Sequence, residues 1–203
     1  MTRWYQEKKH EHFYREAKRL GYRARSAFKL KQINKKFGIF SKNDVVVDLG
    51  AAPGGWSQVV QEIVGNQGKI IGVDILTVKP IERVKFIQGD ITDNETFQKI
   101  NQELNYSHAD VVLSDLSPDI SGNYSIDQAR SLWLCECAFN IATRLLKPGG
   151  IFLCKIFEGQ DTKDFIELLR NSFSTVKKFT PVASRKRSSE IYIIAKSLKN
   201  NSS

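Results

Sequence analysis

The chain reads as an α/β protein with a Rossmann-like fold: a mostly parallel seven-stranded sheet, an antiparallel hairpin at one edge, and helices on both faces. Three observations predict this. Short β-branched apolar runs alternate with longer amphipathic stretches, the pattern of strand–helix–strand units. A glycine-rich turn, Gly50-Ala51-Ala52-Pro53-Gly54-Gly55, joins the apolar run Val45-Val46-Val47 to a helix-like segment. Polar residues then stop on one edge: Asp48 and Gly50 close the first strand, Asp74 the second, Asp90 follows the third, Asp115 ends the fourth and Lys155 comes late in the fifth. Open sheets of this kind bind ligands beyond the carboxyl ends of their strands.

The elements follow in order. Residues 1–22 are polar and read as an arm, and 26–37 as a helix with Ala27, Leu30, Ile33 and Phe37 on one side. Strands over 45–49, 70–74, 84–88 and 111–114 are separated by helices starting at Gly55 and Asn94, and a long helix spans 126–146. Lys147-Pro148-Gly149-Gly150 stops that helix, 151–157 returns as a strand and 161–170 is helical. The runs 175–180 and 191–195 are joined by a connection too short for a crossover helix, so they should pair antiparallel. This divides the chain into a basic aromatic arm over 1–24, a domain over 25–197 and a polar tail over 198–203 that is expected to be disordered.

At 203 residues with 41% apolar content, the chain can bury one substantial core. No apolar run reaches the roughly 18 residues of a membrane span, and the charged start lacks a signal-peptide apolar region, so a soluble, cytoplasmic protein is expected. Cys135, Cys137 and Cys154 form neither a C-x-x-C pair nor a zinc set and read as reduced core thiols; no metal is expected. The net charge of +9 is unevenly spread. Residues 1–36 hold twelve Lys/Arg against three Asp/Glu, and the remainder holds nineteen of each sign. These cations are interleaved with Trp4, Tyr5, Phe13, Tyr14, Tyr22 and Phe28, so charges for phosphates alternate with rings for stacking. A solvated basic helix face would also look like this, but a neutral body with a basic aromatic arm favours nucleic acid.

The glycine turn admits three ligands. A phosphate-binding loop needs Lys-Ser/Thr after its last glycine, where this chain has Trp56-Ser57. A dinucleotide fingerprint needs G-x-G-x-x-G, and the spacing here is G-x-x-x-G-G, which leaves NAD second. S-adenosylmethionine carries no phosphate and needs a tight turn plus an acid for its ribose, and Asp74 stands about 20 residues beyond the turn where such an acid belongs. An ordinary glycine turn stays open on this loop alone.

Lys155 lies in Ile151-Phe152-Leu153-Cys154-Lys155-Ile156-Phe157 and needs a partner among apolar neighbours, unless it snorkels to water. Asp115 on the adjacent strand is the nearest candidate, although strand-end carboxylates are common. Glu190 and Lys29 would pass, on spacing alone, as a solvated acid and one basic residue among many.

These residues carry a resemblance. The chain resembles the FtsJ/RrmJ group of RNA 2′-O-ribose methyltransferases, most of all its prokaryotic large-subunit rRNA uridine methyltransferases, over nearly everything from Arg25 to Ala195. The matching motifs are Ser26-Ala27-Phe28-Lys29-Leu30, the 48–58 turn, Ser114-Asp115-Leu116-Ser117-Pro118 with Ser121-Gly122, Lys155-Ile156-Phe157-Glu158-Gly159, and Ser188-Ser189-Glu190-Ile191-Tyr192. It departs at Leu116-Ser117, where Met-Ala is commoner, and at Cys154. The resemblance implies a catalytic Lys29–Asp115–Lys155–Glu190 tetrad. It also implies S-adenosylmethionine as cofactor, held by Gly50, Gly54, Trp56, Asp74, Asp90 and Asp115. The implied substrate is a uridine 2′-OH of large-subunit 23S rRNA, in the peptidyl-transferase-centre loop of a late large ribosomal subunit, with the enzyme a monomer. A tRNA anticodon-loop or cap ribose methyltransferase would use the same chemistry. A different class, an RNA-binding assembly factor with little turnover, is disfavoured by the complete tetrad.

Overall fold

The computed structural model describes residues 13–184 and 189–200. A helical stretch over 13–19 precedes α1 (Ser26–Phe37), then follow β1 (Val45–Leu49), α2 (Gly55–Val64), β2 (Lys69–Asp74), β3 (Val84–Gln88), α3 (Asn94–Glu103), β4 (Ala109–Ser114), α4 (Tyr124–Leu145), β5 (Leu146–Phe157), α5 (Thr162–Ser172), β6 (Phe173–Phe179) and β7 (Glu190–Leu198). Local signals set several boundaries. Gly38 ends α1 at φ 57° with Lys35 and Lys36 in its last turn, and the Asn123 side chain caps α4 by accepting from Ser125 N.

The seven strands form one sheet in the order β3-β2-β1-β4-β5-β7-β6. All pairings from β3 to β5 are parallel, and β7 runs antiparallel to both β5 and β6. The expected hairpin therefore forms with its second strand inside, because β7, nearly all apolar and buried, belongs in the middle, whereas β6 carries exposed lysines suited to an edge. Strand β5 starts at Leu146, earlier than the expected 151.

Alternation along the strands divides the core in two. One face packs Leu49, Val112, Phe152 and Ile193 with residues of α3, α4 and α5; the other packs Val46, Val111, Leu113, Leu153, Tyr192 and Ile194 with α1 and α2. The three cysteines are unbridged, with Cys135 and Cys154 buried.

The N-terminal region differs from the expected arm. Residues 1–12 lie outside the described part, but Ala17 and Tyr22 are buried in the α1–α2 core. The Tyr22 hydroxyl donates to Glu62 on α2 at 2.5 Å. Docking thus begins well before the expected boundary at 25, since Tyr22 serves the core. Among the described residues no helix is long and apolar enough to cross a membrane.

Candidate active site

The sheet's α1–α2 face explains how residues far apart in sequence meet. Register pairs Asp48 with Leu113, Leu113 with Leu153, and Lys155 with Tyr192. Stepping by two along each strand puts Asp115, Lys155 and Glu190 on this same face, at the carboxyl ends of β4 and β5 and the start of β7. Helix α1 lies over it with Leu30 and Ile33 fully buried, and Lys29 precedes them on the helix.

Two lysine–acid pairs result. Lys29 Nζ donates to Glu190 Oε2 at 2.6 Å. Lys155 Nζ donates to the Asp115 backbone carbonyl at 2.9 Å and lies 3.2 Å from Asp115 Oδ1, close enough for an ion pair but off hydrogen-bond alignment. Both lysine side chains are only 7% exposed. Burial pushes the Asp115 carboxyl above its usual range against the opposing pull of Lys155 and then Lys29, while Glu190 adds to the rise. The Asp115 carboxyl thus senses the other three residues.

Tyr192, which sequence reasoning did not select, forms the floor. It is fully buried, its ring centroid is 5.8 Å from Lys29 Nζ, and its hydroxyl has no aligned hydrogen-bond partner. Burial raises its pKa, and the neighbouring Asp115 and Glu190 raise it further. The signal was available: Glu190-Ile191-Tyr192 places 190 and 192 on one face of a strand.

Residues expected to hold a cofactor line the adjoining edge. Asp74 Oδ2 accepts from Ala52 N and Oδ1 from Leu76 N, both at 2.8 Å, so it ties its own turn to the glycine loop and keeps lone pairs for hydroxyl donors. Asp90, exposed beyond β3, accepts from Thr92 N and Oγ1 at 2.8 and 2.7 Å. Two glycines of the turn are also required by the protein's own packing. Gly50 has φ 78°, and a Cβ there would meet Leu116 N at 3.0 Å; Gly54 has φ 112°, and a Cβ would meet Ile81 Cδ1 at 2.8 Å. Protein packing excludes side chains at both places. The Trp56 indole is buried, donates to Ser26 O at 3.1 Å and packs 5.9 Å from the Tyr192 ring. Its backbone lies in the first turn of α2.

Sequence reasoning placed Asp48 at the strand end without a role. It is fully buried, accepts from Ser57 Oγ at 2.7 Å, and its other oxygen has no partner. Burial, reinforced by Asp115 and Asp74, pushes its pKa to about 7. Buried oxygens without a hydrogen bond on Asp48, Asp115 and Tyr192 along one edge are unusual in a folded protein. Together with the ribose-competent Asp74 and the N-terminus of α2, they fit a polar, cationic nucleoside ligand.

The profile of the FtsJ-like methyltransferase family matches residues 22–198. The Ribosomal RNA large subunit methyltransferase E of Methanothrix thermoacetophila is 52% identical over 188 residues, covering 93% of this chain and 72% of that protein. The protein of the same name from Francisella philomiragia is 42% identical over 197 residues, 97% and 96% of the two chains. Among solved structures, a Plasmodium falciparum protein provisionally described as a ribosomal RNA methyltransferase superposes with a TM-score of 0.81 at 30% identity, covering 87% of this chain and 98% of that one.

Proposed function

The chain belongs to the FtsJ-like methyltransferase family, and on that premise we propose that it transfers a methyl group from S-adenosylmethionine to the ribose 2′-OH of a uridine in large-subunit 23S rRNA. We place the target in the peptidyl-transferase-centre loop, modified late in subunit assembly. The observation that carries the chemistry is the pair of buried lysine–acid contacts, Lys155–Asp115 and Lys29–Glu190, on one sheet face. The rRNA assignment is supported by the names of the relatives described above.

A ribose hydroxyl is a weak nucleophile near neutral pH, so the protein must orient it and take its proton. In this reading Lys155 Nζ, in its amine form, receives that proton, a contribution of roughly 10²–10⁴-fold. Asp115 aims the nitrogen through its backbone carbonyl at 2.9 Å, and its carboxyl faces the developing positive charge. Lys29 holds the ribose or a phosphate of the target nucleotide, and Glu190 fixes Lys29 at 2.6 Å. Tyr192 closes the floor beneath both lysines and excludes water. Gly50, Gly54, the Trp56 backbone, Asp74, Asp90 and Asp115 would hold S-adenosylmethionine, which supplies a methyl already activated on a sulfonium.

The test offers purified protein and methyl-labelled cofactor to large subunits, naked large-subunit rRNA and bulk tRNA, all from a strain lacking this activity. The expected outcome is preferential labelling of large subunits at a uridine 2′-oxygen. Preferred labelling of tRNA would overturn the substrate, and labelling on a base would overturn the ribose chemistry.

A further inference from the structure

Residues 21–25 connect the basic N-terminal segment to α1, and they lie on the Gly54–Gly55 pair. A Cβ on Gly54 would approach the Arg23 guanidinium to 3.1 Å, and one on Gly55 would approach Ala24 Cβ to 3.0 Å. Gln58, one turn into α2, grips the segment twice: its side-chain oxygen accepts from Arg23 N and its amide donates to Gly21 O, both at 2.9 Å. From this seat the Arg23 guanidinium reaches two separate loops. Nη1 donates to Pro53 O at 3.2 Å and Lys79 O at 2.5 Å, and Nη2 donates to Pro80 O at 2.7 Å.

All three partners are backbone carbonyls, and both loops border the cofactor edge. Pro53 belongs to the glycine turn. Lys79 and Pro80 belong to the β2–β3 connection, which leaves Asp74 and exposes Ile75 and Leu76. Among the described residues, other ties hold that connection through Gln88 Nε2 to Ile75 O, Thr77 Oγ1 to Gln88 Oε1 and Gln61 Nε2 to Glu82 O, while Lys79 and Pro80 rest on Arg23. A planar fork that satisfies carbonyls on two loops sets the distance between them, which a point charge cannot do.

We propose that Arg23 is a positioning residue for the cofactor, a latch through which RNA on the basic segment and S-adenosylmethionine on the glycine turn each strengthen the other's binding. The RNA half rests on the function proposed above. Seating the latch orders a long side chain and the segment beneath it. Phosphates gripping exposed Lys18 and Arg19 hold that segment in place, so less ordering remains when the cofactor arrives. Such coupling is reciprocal.

The test titrates S-adenosylhomocysteine into the full chain by calorimetry, alone and with saturating oligouridylate. Wild type should bind it at least about fivefold more tightly with RNA present, the lower end of ordinary coupling. Arg23→Ala should weaken binding without RNA by about tenfold, and the gain from RNA should vanish. Arg23→Lys keeps the charge but lacks the fork, and should behave like Arg23→Ala; it also serves if the alanine variant melts at a much lower temperature. Wild-type affinity for S-adenosylhomocysteine in a folded variant, or a retained gain from RNA, would overturn the latch. Failure of the wild-type chain to bind oligouridylate would count against the RNA reading and remove the coupling, while the RNA-free titrations would still decide whether Arg23 positions the cofactor loops.

Discussion

At the scale of single residues, the two halves of the site separate by what each side chain touches. The Lys155 ammonium pairs with Asp115, whereas Asp74 braces the glycine turn. Lys155→Ala should therefore abolish methyl transfer and leave the dissociation constant for S-adenosylhomocysteine within a few-fold. Asp74→Ala should weaken that binding by roughly 1–3 kcal/mol, the cost of lost hydrogen bonds. Calorimetry beside a single-turnover assay checks both. Asp48 gives a pH dependence. Its folded pKa of about 7 lies above the ordinary 3.8, so the folded chain keeps a proton that the unfolded chain releases. That contribution to stability is complete below about pH 4 and is lost as pH rises through about 7. Asp48→Asn should thus gain on wild type by about 2–3 kcal/mol between about pH 5 and pH 8, measured by chemical denaturation. Lys155 and Asp115 were legible as candidates because they end adjacent strands. Asp48 and Tyr192 were not, since their importance lies in unpartnered buried oxygens that only the packing reveals.

At the scale of elements, the periodicities located most helices and strands, because β-branched runs and i, i+3, i+7 spacing are local properties. Helix α1 shows what they left out. Its stripe Ala27, Leu30 and Ile33 was readable, but which acid would meet Lys29 depends on where β7 inserts, and that is decided by burial across the whole sheet. Leu30 is fully buried under this helix. Leu30→Ala should destabilise the fold by about 2–5 kcal/mol, and in the remaining folded protein it should depress methyl transfer more than S-adenosylhomocysteine binding, because the helix carries Lys29 and not the glycine turn. Denaturant melts with paired activity and binding assays check this. The docking of residues 13–24 was equally out of reach, resting on Tyr22 to Glu62 and Arg23 to Gln58, contacts 40 and 35 residues apart.

For the whole molecule, the excess positive charge sits at the N-terminal end, while the packed core begins by Ala17. Removal of residues 1–12 takes away Arg3, Lys8 and Lys9. It should flatten the slope of log K against log salt for RNA by up to about 2, at about 0.7 for each lost phosphate contact. Removal of residues 1–24 also takes Ala17, Tyr22 and Arg23, and should lower both the melting temperature and cofactor affinity; filter binding across a salt series, with thermal melts, separates the two truncations. The placement of β7 between β5 and β6 bears on biosynthesis. Lys29 leaves the ribosome 161 residues ahead of Glu190, a lag of roughly ten to thirty seconds at about 5–20 residues per second. Late in that interval, from the emergence of β5 until β7 follows, β5 presents an open edge and β6 has no neighbour, so a nascent chain carries both a sticky border and half an ion pair. The strand that seals the border is the one that delivers the missing acid, and the polypeptide therefore becomes competent and safe from aggregation in a single late event.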